Sequence, residues 1–194
     1  MPEDISQNIT CLVLAGGRGR RMNGIDKGLM LWHKQPMIEH VLKKLGAHKN
    51  HTMISANRNH AEYAKYADQI IADEIDHFQG PLAGILTAMH HCKTDYLLCV
   101  PCDSPEPPDD LQSQLIQCMQ SQQKTAAICH DGERLQPLFL LISCEHRKQL
   151  DNFLQQGQRK VQAFMQLIDP AICDFSAQKS AFNNFNSAED MRHE

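Results

Sequence analysis

Residues 14–27 read Leu-Ala-Gly-Gly-Arg-Gly-Arg-Arg-Met-Asn-Gly-Ile-Asp-Lys and follow directly on the apolar run Ile9-Thr-Cys-Leu-Val-Leu14. A short continuous apolar run ending in glycines is the pattern of a strand buried on both faces, so the loop belongs at a strand's carboxyl end. Gly16, Gly17, Gly19 and Gly24 let the backbone approach a ligand closely, with successive N–H groups converging on phosphate oxygens. Arg18, Arg20, Arg21 and Lys27 add positive charge. Two opposite unit charges about 4 Å apart attract by roughly 4 kcal/mol at an effective dielectric near 20. A triphosphate therefore suits this loop better than a neutral ligand. The spacing is neither Gly-x-x-x-x-Gly-Lys-Ser/Thr nor Gly-x-Gly-x-x-Gly, which excludes a Walker A loop and a dinucleotide-binding turn.

Working outward, residues 52–55, 69–72 and 96–100 read as further short strands. Helical spacing predicts helices over 36–45, 61–66, 109–122 and from Gly80-Pro81 onward, where Leu82, Ile85, Leu86 and Met89 share a face. Alternating strands and helices imply a parallel sheet. The alternation breaks at 125–130 and 137–143, two strands joined by Asp131-Gly-Glu-Arg134, a hairpin signal that adds an antiparallel element. Helices over 145–155 and 161–167, a strand over 171–175 and a terminal helix capped by Ser187 complete the chain. The expected fold is α/β: three layers, α/β/α, around a mostly parallel, Rossmann-like sheet with an added antiparallel element. It forms a single domain over 10–194 behind a flexible stretch, 1–9.

Ligands of open α/β sheets collect at the carboxyl ends of strands. Asp73, after the third strand, is thus a candidate base or ribose contact. Asp103 stands in Pro101-Cys-Asp-Ser-Pro105, a proline-locked turn after a buried strand. A rigid loop holding one carboxylate suits Mg²⁺, which takes one or two carboxylates and leaves its other positions to water and phosphate. Arg159-Lys160 read either as a solvated helix start or as cations for a second phosphorylated substrate.

The formal charge of −4, from 19 basic and 23 acidic residues among 194, gives no global basic field for nucleic acid or an anionic membrane. No run approaches the roughly 18 apolar residues of a membrane span, and residues 1–10 lack the apolar core of a signal peptide. Eight scattered cysteines suit reduced thiols in a cytoplasmic protein. Cys99-Val-Pro-Cys102 has no second Cys-x-x-Cys, and Cys99 falls inside a buried-strand pattern. Eleven histidines include no His-Glu-x-x-His.

The opening loop resembles the nucleotidyltransferase signature Leu-Ala-Gly-Gly-x-x-x-Arg-Met-x-Gly-x-Asp-Lys, in the form typical of the molybdenum cofactor guanylyltransferases. The likeness continues in order through Ala56-Asn-Arg58, Asp73, residues 80–84, residues 101–105, residues 131–134 and the Asn-rich tail. It implies that Leu14, Ala15, Gly16, Gly17, Lys27, Ser55, Asp73 and Asp103 contact GTP and that Asp103 also holds Mg²⁺. Arg21 and Lys27 would neutralise the triphosphate, and Asn184 and Asn186 would lie near a pterin substrate. Asn23 stands where the family often has Gly. Ser55 stands where a strand-end Asn often contacts the nucleotide, a role Asn57 would share.

The reaction so implied is attack by the terminal phosphate of molybdopterin, or Mo-molybdopterin, on the α-phosphorus of GTP. It yields molybdopterin guanine dinucleotide and pyrophosphate. The resemblance also implies exchange with a molybdenum insertion protein and molybdoenzyme chaperones. Two alternatives stay open at this point: a cytidylyltransferase of the same superfamily, and a non-catalytic carrier of GTP and the pterin cofactor.

Overall fold

The computed structural model describes residues 4–15, 26–46, 51–72 and 80–185. In chain order it forms β1 (Ile9–Leu14), β2 (Leu31–Trp32), β3 (Gln35–Pro36), α1 (Met37–Lys44), β4 (Thr52–Ser55), α2 (His60–Tyr63), β5 (Gln69–Ile71) and α3 (Pro81–His91). There follow β6 (Tyr96–Pro101), α4 (Leu111–Ser121), β7 (Ala126–His130), β8 (Leu135–Ser143), α5 (Arg147–Gln155), α6 (Val161–Ile168) and β9 (Ala171–Asp174). One sheet of seven strands has the order β5-β4-β1-β6-β8-β7-β9. Every pairing is parallel except those of β8 with β6 and β7, so β8 alone is inverted. This is the mostly parallel sheet with an antiparallel addition that the hairpin signal implied.

Strand side chains alternate between two apolar clusters. Cys11, Val13, Leu98, Val100, Ala127 and Leu141 pack toward α1 and α4. Leu12, Leu97, Cys99, Ile128, Leu140 and Ile142 pack toward α3, α5 and α6. Helices on both faces explain why the strands read as continuous apolar runs. Each fully buried aliphatic side chain, such as Leu12 at 0% exposure, contributes about 1.5–3 kcal/mol over leaving it in water.

Three local features depart from the sequence reading. β2 and β3 form a small antiparallel hairpin, and its turn residues His33 and Lys34 hold positive φ (45° and 68°) without a glycine to signal them. Two residues of the stretch expected to be flexible are held: Ile5 is buried, and Asn8 exchanges hydrogen bonds with Asp95. The eight cysteines are not all reduced thiols, since Cys118 of α4 and Cys173 of β9 are disulfide-bonded with Cα atoms 5.9 Å apart. Those two are 55 residues apart, and only the packing of α4 on β9 brings them within bonding reach. The terminal helix expected after Ser187 lies outside the described residues.

Two contacts hold the elements at these strand and loop ends. The carboxylate of Asp26, 5% exposed, accepts hydrogen bonds from the Tyr63 hydroxyl (2.5 Å) and Asn59 Nδ2 (2.9 Å), with Arg58 Nε at 3.5 Å. A buried carboxylate is costly unless it is paired and hydrogen-bonded, and these three groups serve that need. Burial pushes the Tyr63 phenol up, and its bond to Asp26 adds to the rise, so it stays a donor. The second contact is Gly84 in the first turn of α3. A Cβ there would meet Ser55 Oγ at 2.5 Å, Ser55 Cβ at 3.2 Å and Leu14 Cδ2 at 3.3 Å.

Tyr63→Phe removes one charge-assisted hydrogen bond without creating a cavity and is expected to cost about 1.5–3 kcal/mol in urea unfolding, with an unchanged m-value. Gly84→Ala sets a helix gain of about 1 kcal/mol against an overpacking cost of about 1–3 kcal/mol. Overpacking wins here, because turning the Ser55 hydroxyl away leaves the other two close contacts in place. A net loss of stability is expected, and the same substitution on a Ser55→Ala background should cost less, a coupling that a double-mutant cycle measures.

Candidate functional site

The chain leaves β1 for β4 on one side and, after β5 and α3, returns to β6 on the other. β1 and β6 therefore flank the point where strand order reverses, the place where open α/β sheets bind ligands. Their register runs without a break from Ile9↔Tyr96 to Leu14↔Pro101. This pairing puts Ala15, where β1 ends, beside Cys102, where β6 ends. Ala15 N–H donates to the Ser55 carbonyl (2.8 Å), and Cys102 N–H donates to the Leu14 carbonyl (3.2 Å), so three adjacent strand ends are joined edge to edge.

Two of the sequence-derived candidates meet across this edge. Lys27 Nζ lies 3.0 Å from Asp103 Oδ2, with side chains 28% and 20% exposed. Lys27 opens the 3-10 turn Lys27–Leu29, directly after the anchored Asp26. A Cβ on the next residue, Gly28, would come within 2.5 Å of the Tyr63 hydroxyl, so the same phenol that holds Asp26 also requires glycine beside Lys27. Asp103 is placed by its own backbone, since its carbonyl accepts the Phe185 N–H at 2.8 Å. Among the described residues, its Oδ1 accepts no hydrogen bond.

The tail reaches the same place. Ser104 Oγ donates to Asn184 Oδ1 at 2.6 Å, which sets the exposed Asn184 one residue from Asp103. Phe185, next along, is buried against Trp32 (ring centroids 5.7 Å apart) and Met37. The β2–β3 hairpin thus has a purpose the sequence did not show: its tryptophan is the surface on which the tail is pinned.

Leu14 and Ala15 lie at the strand end as expected, Leu14 partly exposed and Ala15 buried. Ser55 is buried at 4%, its hydroxyl turned toward Gly84, whereas Asn57 is exposed in the loop beyond. Gly16, Gly17, Arg21, Asp73 and Asn186 lie outside the described residues. Arg159 Nη1 donates to the carbonyls of Leu154 (2.7 Å) and Gln158 (2.6 Å), at the end of α5.

Sequence reasoning missed Asp26, Tyr63, Asn59 and the Trp32–Phe185 contact. The aspartate stood beside Lys27 in the opening motif, but nothing local told a buried anchor from a ligand contact. Cys102, beside Asp103, is pushed up by burial and then by the carboxylates of Asp103 and Asp26, which leaves a neutral thiol rather than a nucleophile. Cys99 and Cys102 belong to opposite apolar clusters and do not form a redox pair.

The strand ends, the Lys27–Asp103 pair and the tail thus meet at one edge of the sheet. Residues 11–171 match the MobA-like NTP transferase domain. The chain is 42% identical over 183 residues to a molybdenum cofactor guanylyltransferase of Mannheimia succiniciproducens, covering 94% of this chain and 96% of that protein. It is 40% identical over 183 residues to that of Pasteurella multocida, covering 94% and 97%. The solved molybdopterin-guanine dinucleotide biosynthesis protein A of Archaeoglobus fulgidus has the same fold, with a TM-score of 0.75 at 21% identity over 94% of each chain. Identity of this degree over nearly the full length of both partners decides the matter: the chain belongs to the MobA-like NTP transferase family and, within it, to the molybdenum cofactor guanylyltransferases.

Proposed function

We propose that this chain transfers the GMP moiety of GTP to the terminal phosphate of molybdopterin, free or molybdenum-loaded, giving molybdopterin guanine dinucleotide and pyrophosphate. A phosphate oxygen of the pterin forms the new bond to the α-phosphorus as the bond to the β-phosphate oxygen breaks. No group of the protein needs to be covalently modified. The observation that carries this reading is the Lys27–Asp103 pair, set by β1 and β6 at the reversal point of the sheet.

Asp103 fits Mg²⁺. Its carboxylate is partly exposed, Oδ1 is open to a further partner, and no cluster of three or more His, Cys, Asp or Glu side chains competes among the described residues. Such a sparse donor set suits a cation that keeps water and phosphate as its other ligands. When bound, Mg²⁺ supplies neutralisation of the charge that builds up on the phosphates.

Before substrate arrives, Lys27 and Asp103 compensate each other's charge. A triphosphate offers Lys27 a stronger partner, and the ammonium can move from carboxylate to phosphate while its stem stays fixed by the Asp26 anchor. Leu14, Ala15, Gly16, Gly17, Ser55 and Asp73 are proposed as the nucleotide-contacting set, with Arg21 as a second cation on the triphosphate. Asn184 and Asn186 are proposed on the pterin side, which the Ser104 bond supports for Asn184. Catalysis on this reading is positioning plus electrostatic stabilisation. The reading extends to a cytoplasmic setting with a molybdenum insertion protein and molybdoenzyme chaperones as partners.

Asp103→Asn is expected to lower turnover at least about 100-fold with the far-UV circular dichroism of the folded chain intact. Wild-type turnover in that variant would remove Asp103 from the reaction. Lys27→Ala should weaken GTP binding by about 10- to 100-fold in calorimetry with Mg²⁺ present. Run with GTP, CTP and ATP, the same titration tests the base: preference for CTP would move the protein to the cytidylyltransferases. GTP binding without pyrophosphate release would make it a carrier.

A further inference from the structure

The cysteines divide by environment. Cys11, Cys99, Cys102 and Cys129 are buried in the sheet, and Cys118 and Cys173 are bonded to each other. The remaining two, Cys92 and Cys144, are both partly exposed, and they touch: their Sγ atoms are 3.3 Å apart across 52 residues of sequence. No accessible cysteine among the described residues stands alone.

The backbone fixes both partners. Cys92 caps α3, its N–H bonded to the Ala88 carbonyl at 2.8 Å. Cys144 follows β8 directly, its N–H bonded to the Asp95 carbonyl at 2.7 Å. Cys92 Sγ also lies 2.9 Å from the Thr94 carbonyl and 3.5 Å from Thr94 Oγ1. Bringing the two sulfurs to bonding distance requires a shortening of roughly 1.2 Å.

We propose that Cys92 and Cys144 are a dithiol–disulfide modification site whose oxidant is a small-molecule disulfide. The Cys92 thiolate attacks one sulfur of the oxidant, forming a mixed disulfide and releasing one thiolate, which takes up a proton. The Cys144 thiol gives its proton to solvent and attacks the Cys92 sulfur. The Cys92–Cys144 bond forms, and the second half of the oxidant leaves as a thiol. Two protein thiols are oxidised and one disulfide is reduced to two thiols, so electrons and protons balance. Cys92 is assigned the first attack because its sulfur touches both Cys144 Sγ and the Thr94 hydroxyl, and the Cys144 contact lowers its thiol pKa against burial and the charge of Asp95. That same contact raises Cys144, the resolving thiol.

The pair lies at the amino end of β6, beside Asp95, whereas Asp103 lies past the carboxyl end of the same strand. Bond formation therefore fastens the end of α3 to the end of β8 and leaves the nucleotide cleft open.

The test equilibrates the full chain in buffers of reduced and oxidised glutathione, quenches with an alkylating agent and maps peptides by mass. In oxidised buffer we expect a peptide linking Cys92 to Cys144, its loss in reduced buffer, and a rise in Tm of about 5–10 °C on oxidation. That rise should be absent in Cys92→Ser and in Cys144→Ser. Alkylation of both cysteines after oxidation would overturn the proposal. So would glutathione retained on Cys92 with Cys144 alkylated, since no resolving step would have occurred. The mapping is done on the wild-type chain, so the result does not depend on how the variants fold.

Discussion

The parallel pairing of β1 with β6 is the constraint from which the site follows. These strands are separated by more than 80 residues, and their closure is entropically expensive because everything between them must be ordered at once. What repays it is burial on both faces: Leu12, Val13, Cys99 and Val100 are fully enclosed by helices above and below the sheet. Because side chains alternate faces, a slip of one residue would exchange the two apolar clusters, so the register is strongly specified. With Leu14 opposite Pro101, the two strands end side by side at this edge.

The loop ends are fixed by means other than apolar burial. Asp26 is a nearly buried charge, and its partners come from Asn59 at a left-handed helix entry, from Arg58 before it and from Tyr63 one turn later. Removing any one of them leaves the carboxylate underpaired in a medium that penalises charge, so the group behaves as a unit. Its product is the position of a single residue, Lys27. A lysine on a loop usually spreads over many rotamers, and here its backbone starts from a point held by three hydrogen-bonding groups.

Much of this was legible along the chain. The four strands at 9–14, 52–55, 69–72 and 96–100 and the hairpin at Asp131 appear where the pattern put them, because apolar runs and turn chemistry are local signals. At the hairpin, the Asp131 carboxylate accepts the backbone N–H groups of Glu133 and Arg134, and the Arg134 N–H above all holds its pKa down to about 2. The Lys27–Asp103 meeting was legible only through the fold, since it needs the β1–β6 pairing. Asp26 with Tyr63, Trp32 with Phe185, and both cysteine pairs were not legible. Each joins residues whose separation carries no period, and each partner has an ordinary role when read alone: a loop acid, a helix aromatic, an apolar filler, a small buried thiol. The β2–β3 turn escaped notice because His33 and Lys34 occupy a conformation usually given to glycine or asparagine.

The inversion of β8 also decides where the tail arrives. Since β7 and β9 run parallel to β6, the chain exits β9 at the same end of the sheet as Asp103. From there the Ser176–Phe182 turn carries it back, with Lys179 paired to Glu133 on the hairpin and Phe182 packed on Phe139, until Phe185 reaches the Asp103 carbonyl. A nascent chain can thus pair β1 with β6 and bring Lys27 to Asp103 while the tail is still being synthesised. The edge formed by β1 and β6, with Lys27 and Asp103, is thus complete in the chain before Asn184 and Phe185 have been added.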